Sequence, residues 1–184
     1  MFSKLPAFGL GALAVVRAAP ALSFQTPLLS CSVNLDASVA PVKSFNTIEP
    51  GKYMIYNAWI YGANNPLRAY NPEELVFSDF EDPGKFGQWW IAPSENPGAD
   101  EYTFTNVGLG THASIEQDFY QGIITTQGQG DSFAIEPADD GTFTIRAPNK
   151  DQVWTAVAEG QVLVYLQSQQ DGDEQRWRLV PVYD

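Results

Sequence analysis

His112 is the only histidine in this 184-residue chain, and Cys31 is the only cysteine. Those counts restrict the chemistry at once. Ser-His-Asp or Cys-His catalysis would have to run through His112. That residue stands in Gly110-Thr111-His112-Ala113-Ser114-Ile115, whose alternation reads as a strand, so an ordinary strand histidine is expected. Cys31 has no partner for an intramolecular disulfide, and one thiol does not build a zinc site. The acidic turns Asp139-Asp140 and Asp171-Gly172-Asp173-Glu174 lack the loop pattern of an EF-hand. No GxGxxG, phosphate-binding loop or HExxH occurs. No pair of carboxylates stands out for glycoside hydrolysis. The expectation is a binding protein rather than an enzyme, with no cofactor and no metal.

Charge narrows the partner. Ten Lys and Arg face twenty-two Asp and Glu, a net charge of −12. Such a chain repels phosphate backbones, so nucleic acid is excluded as a partner. A basic protein surface is compatible, and acidity also serves solubility.

The elements that must position any site come from a repeat. Trp89, Phe133 and Trp177 stand 44 residues apart (133 − 89 and 177 − 133), and Ile91, Ile135 and Leu179 keep the same step. Pro93, Pro137 and Pro181 do so too. Aromatic-x-aliphatic-x-Pro has the period of a half-buried strand ended by proline. The phrases that open each repeat also alternate, led by Tyr53, Tyr102 and Phe143. Turn residues separate the runs at 62–65, 108–110, 139–141 and 171–173. Four short strands per repeat give twelve, and no run between Gly51 and Asp184 reads as an amphipathic helix. Three units are too few for a propeller, which needs about four to eight blades. A closed barrel with three hairpins capping one end removes the exposed edges. The fold class is therefore all-β, a β-trefoil of twelve strands over residues 51–184.

The start of the chain is different. Lys4 precedes an apolar stretch from Leu5 to Val16, followed by small residues up to Ser23. This resembles a secretory signal over 1–23, and twelve apolar residues are too few to span a bilayer. Residues 24–50 read as a linker or pro-segment. Secretion is expected, with an intracellular location as the alternative, and no membrane partner.

Several phrases carry a family resemblance. Gly51–Asn57, Gln88–Pro93, Asp100–Gly108, His112–Asp118, Asp131–Pro137 and Asp151–Ala156 together resemble the fungal serine-protease inhibitors typified by cospin. The resemblance covers essentially all of Gly51–Asp184; the first forty-odd residues depart from it. It implies a monomeric trefoil that blocks a trypsin-like protease with an exposed rigid loop. The loop it points to is Arg68-Ala69-Tyr70-Asn71-Pro72-Glu73-Glu74-Leu75, with Arg68, Asn71, Pro72, Glu73 and Glu74 as protease-binding residues. A trypsin-type pocket wants Arg or Lys, which Arg68 would supply if exposed. Lys85, in Asp82-Pro83-Gly84-Lys85, and Lys150 mark alternative loops.

Two rivals share the fold. Ricin-type trefoil lectins carry Gln-x-Trp near each repeat's end. Gln175-Arg176-Trp177 matches, Gln88-Trp89-Trp90 matches one residue out of frame, and Asp131-Ser132-Phe133 fails. Carbohydrate is thus the alternative partner, and it would need an exposed aromatic beside polar groups. Trp59 is one candidate; Trp154, in an alternating run, is expected in the core instead. A cysteine-protease inhibitor of the mycocypin type is the other rival. Fold does not choose among them, because function sits on the loops.

Overall fold

The 44-residue step is kept in three dimensions. A computed structural model describes residues 48–60, 65–95, 100–118, 120–148, 151–159 and 161–183. All of them lie in one unit, Lys43–Asp184. The expected signal (1–23), most of the linker (24–50) with Cys31, and Lys150 fall outside the described residues.

Twelve strands follow one another: β1 Gly51–Asn57, β2 Leu67–Arg68, β3 Phe77–Ser78, β4 Gln88–Pro93, β5 Glu101–Asn106, β6 His112–Ile115, β7 Ile123–Thr126, β8 Phe133–Pro137, β9 Phe143–Arg146, β10 Gln152–Glu159, β11 Gln161–Ser168 and β12 Trp177–Pro181. Each overlaps a run expected from alternation. Three single-turn 3-10 helices were not expected: Gly84–Gly87, Asp139–Gly141 and Asp173–Gln175.

Pairing closes a ring. β1 pairs with β4, β4 with β5, β5 with β8, β8 with β9, β9 with β12, and β12 with β1, all antiparallel. Six strands thus form a barrel with no free edge among them. The hairpins β2–β3, β6–β7 and β10–β11 form the cap. They meet one another through β3–β11 pairing and the bridges Leu75–Ile124 and Gly122–Tyr165. At Gly122 the approach is close, since a Cβ would stand 2.1 Å from Leu75 Cδ2.

Alternation decides what fills the barrel. Trp89, Phe133 and Trp177 are each fully buried, as are Ile91 and Phe104. Trp154 reaches in from the cap. Its ring lies 5.1 Å from Phe104, 5.1 Å from Phe133 and 6.2 Å from Trp177. The two frame tryptophans also donate alike: Trp89 Nε1 to Leu67 O at 2.9 Å, and Trp177 Nε1 to Trp154 O at 3.0 Å. Phe133 has no such handle.

Polar clasps join one repeat to the one before. Asn106, at the end of β5, donates through Nδ2 to Phe86 O at 2.8 Å, while its Oδ1 accepts from the amides of Gly108 and Leu109. Asn57, at the end of β1, donates through Nδ2 to Glu174 O at 2.9 Å and accepts from the Trp59 amide. Both carbonyls lie in a 3-10 turn three residues ahead of a frame tryptophan. The corresponding residue after β9 is Ala147, and no 3-10 turn precedes β8. Repeat two therefore has neither the tryptophan nor a 3-10 turn ahead of it, and repeat three has no asparagine to clasp one; the 3-10 turn Asp139–Gly141 comes after β8 instead. Within repeat two, Asp131 ties β6 to the approach to β8, its Oδ2 accepting from Ser114 Oγ at 2.8 Å and the Ile115 amide at 2.7 Å.

Candidate functional site

The loop after β2 carries most of the residues singled out from the sequence. Arg68 is not on its surface. The residue is fully buried, and its guanidinium donates to Asp79 O at 2.5 Å and Glu81 O at 2.6 Å. A third N–H reaches the Tyr70 hydroxyl at 3.3 Å, and Phe77 lies under the charge at 6.0 Å. A buried cation needs acceptors, and here backbone carbonyls supply them. Arg68 therefore fastens the segment after β3, which corrects its expected place in a protease's specificity pocket. Arg68 lies on the opposite face of the two-residue strand from Leu67, and that face too is covered, by the segment whose carbonyls it binds.

Beyond Arg68 the loop turns outward. Asn71, Glu73 and Glu74 are exposed and Pro72 is half-buried. Asn71 Nδ2 donates to Glu74 Oε2 at 2.8 Å, closing the loop on itself. Thr125 on β7 ties it down twice, accepting from the Glu73 amide at 2.6 Å and donating its hydroxyl to Asn71 O at 3.4 Å. Glu73 has φ of 62°, a left-handed conformation that a side chain rarely adopts. The loop is thus held at three points.

Lys85, expected as a separate loop, turns out to be a neighbour. It is exposed on the 3-10 turn Gly84–Gly87, beside Phe86. Phe86 meets Tyr70 edge-on at 5.3 Å, and Tyr70 meets Phe77 at 5.7 Å. Phe86 also covers Gly108, where a Cβ would stand 2.6 Å from its ring. Tyr56 belongs to the same side of the molecule. Burial, and then the Asp82 carboxylate, push its hydroxyl above the ordinary tyrosine value.

The aromatics divide cleanly. Trp154 is buried, as expected, and Trp59 is 43% exposed. The residue missed is Trp90, 46% exposed on the outer barrel wall. Two successive tryptophans on an alternating strand face opposite sides, so only one of the pair Trp89-Trp90 points into the barrel. Trp90 opposes Lys52 on β1 and Thr105 on β5. Thr105 in turn opposes His112, and its Oγ1 lies 3.0 Å from His112 Nδ1. His112 is half-buried on that wall. Among the described residues no cluster of three His, Cys, Asp or Glu is placed to hold a metal ion.

Gln175 of the Gln-x-Trp phrase is structural. It is buried, donates to Thr155 Oγ1 and Ser168 O at 3.0 Å each, and accepts from the Gln170 amide at 2.6 Å.

Solved structures share this architecture. A designed threefold-symmetric protein, ThreeFoil, matches with a TM-score of 0.60 and 17% identity, over 72% of this chain and 99% of its own. The Macrolepiota procera ricin B-like lectin, in complex with lactose, matches with a TM-score of 0.60 and 16% identity, over 74% of this chain and 99% of that one. The Rhizoctonia solani agglutinin gives 0.59 and 17%, over 74% and 98%. This chain is a β-trefoil protein. At such identities the likeness is one of fold. No family model and no curated protein matches the sequence.

Proposed function

We propose that this trefoil is a non-catalytic binding protein whose ligand is carbohydrate, taken up on repeat one. One observation carries the reading. Trp90, Ala134 and Arg178 follow the frame residues Trp89, Phe133 and Trp177 at the same 44-residue step. The barrel therefore accepts alanine or arginine at this outward place, and it does not need an indole there. A half-exposed tryptophan among Lys52, Thr105 and His112 supplies an apolar plate with polar groups around it, which is what a pyranose ring requires. Trp59 adds a second exposed indole, 43% accessible, just after β1. The named trefoil neighbours, a lectin in complex with lactose and an agglutinin, support the same ligand class. A glycan array probed with the full chain and with Trp90→Ala tests it. Binding by the former and loss in the latter are expected; equal binding by both removes Trp90 from the site.

A second reading has its own observation. The loop Asn71-Pro72-Glu73-Glu74 is fastened by its internal hydrogen bond and by Thr125, so it has little entropy to lose in a protease cleft. That supports the inhibitor function implied by the cospin resemblance, with Asn71 rather than Arg68 at the tip and Lys85 nearby. Residual activity of a protease panel titrated with the full chain tests this. Stoichiometric inhibition of one serine protease, abolished when Asn71–Glu74 is replaced by Gly/Ser, is the expected result. Silence across the panel rejects it. The signal-like start supports secretion in either case, checked by the mass of the natural protein with or without residues 1–23.

A further inference from the structure

The connection between β3 and β4 differs from its two counterparts. Residues 127–132 join β7 to β8 as Gln-Gly-Gln-Gly-Asp-Ser, and 169–176 join β11 to β12 as Gln-Gln-Asp-Gly-Asp-Glu-Gln-Arg. Neither holds a large apolar side chain. Residues 79–87 hold two phenylalanines. Phe86 packs on Tyr70, whereas Phe80 stands 81% exposed. The fold is completed twice without such a residue, so Phe80 is open to function.

The chain around Phe80 is held at both ends and from beneath. Ser78 is buried and donates its hydroxyl to Asn65 O at 2.6 Å. Pro83 is buried too, packed so closely on Gly87 that a Cβ there would stand 2.3 Å from the proline Cγ. Between them, a single nitrogen of the buried Arg68, Nη2, donates to the carbonyls of both Asp79 and Glu81. The Phe80 amide donates to Asp79 Oδ1 at 2.6 Å, and the Gly84 amide to Asp82 Oδ1 at 2.9 Å. The tip 79–82 is thus fixed, with Phe80 as its one apolar side chain.

We infer that Phe80 is the anchor of a second inhibitory loop, directed at a chymotrypsin-like serine protease. The inference rests on the inhibitor reading above for its class of partner, and assigns a different loop and a different specificity. The hydrophobic slot of such a protease takes a phenylalanine, and a fixed loop has little entropy to lose in the cleft. The fate of the cut ends separates an inhibitor from a substrate. The protease's serine oxygen adds to the Phe80 carbonyl carbon and the Phe80–Glu81 C–N bond breaks. The Glu81 nitrogen leaves as an amine, carrying the serine's proton passed on by the protease's histidine. In a slack loop that amine departs, and water hydrolyses the acyl-enzyme. Here Arg68 Nη2 holds a carbonyl on each side of the bond. The amine stays beside the acyl carbon, adds back and returns the proton, which restores the peptide bond and the free serine. Asp79, Glu81 and Asp82 flank Phe80 with carboxylates, so a cationic cleft rim is favoured.

Residual activity of chymotrypsin and of trypsin, each titrated with the full chain, tests this, with the recovered chain weighed by mass spectrometry. Stoichiometric inhibition of chymotrypsin, weakened by added salt, is expected, with the chain recovered mostly intact. Phe80→Ala should raise the inhibition constant about a hundredfold or more at an unchanged melting temperature. Replacing Asn71–Glu74 by Gly/Ser should leave chymotrypsin inhibition in place, and in that background Phe80→Lys should move it to trypsin. Arg68→Ala, once folded, should be cut at Phe80–Glu81 and released. Rapid cleavage of the unaltered chain at that bond without inhibition would overturn the inference. So would chymotrypsin inhibition that survives Phe80→Ala. Inhibition of trypsin alone would overturn it and leave the Asn71 loop standing. Silence with both proteases would overturn both.

Discussion

Repeat one and repeat three use the same internal device but finish it differently outside. Both bury a tryptophan whose indole donates to a carbonyl on its own cap hairpin, and both place a 3-10 turn before it for an asparagine of the next repeat to clasp. One residue beyond the tryptophan, repeat one puts an indole into solvent and repeat three puts an arginine. Pseudo-symmetry is thus an internal control. Positions on which the repeats agree serve the fold, and positions on which they part are open to function.

Substitutions sharpen that division. Trp177→Ala removes a fully buried indole together with its hydrogen bond, and chemical unfolding should show a loss of about 3–5 kcal/mol. A loss under about 1 kcal/mol would break the assignment of the shared frame to stability. Arg68→Ala comes next. It removes a fully buried side chain and leaves the Asp79 and Glu81 carbonyls without their donor, and should cost about 2–4 kcal/mol, with glycan binding unchanged once the protein is folded. A variant of full stability would return Arg68 to the surface. Asn106→Ala opens one clasp, at about 1–2 kcal/mol by the same unfolding assay. Ala147 shows that one junction of three tolerates the loss of its asparagine. Trp90→Ala is the opposite case: a stability change within about 0.5 kcal/mol, with glycan binding lost. A large destabilisation there would mean that the outward indole belongs to the fold after all.

Much of this division could be read from residue types. The 44-residue frame fixed the barrel's three inner aromatics, and alternation located all twelve strands to within a few residues. Three things escaped. Arg68 was offered to a protease pocket only if exposed, and its tethering did not show, because its carbonyl acceptors lie eleven and thirteen residues away and belong to no pattern. The clasps were missed although Asn57 and Asn106 end the same phrase in two repeats; asparagine there looks like an ordinary turn residue. Trp90 was overlooked in favour of its partner in the frame, although period-two geometry turns it away from the barrel interior. The wall around it depends on register between strands distant in sequence, which no local pattern carries.

The β1–β12 seam, finally, has a consequence in time. Of the described strands, β1 leaves the ribosome first and its partner β12 last. Until Trp177–Pro181 emerges, β1 and β9 each keep an unpaired edge, open to pairing with another chain. Contacts so distant in sequence form slowly. A chain truncated before Trp177 would hold that edge open permanently, so nonsense fragments of this protein should aggregate rather than fold in part.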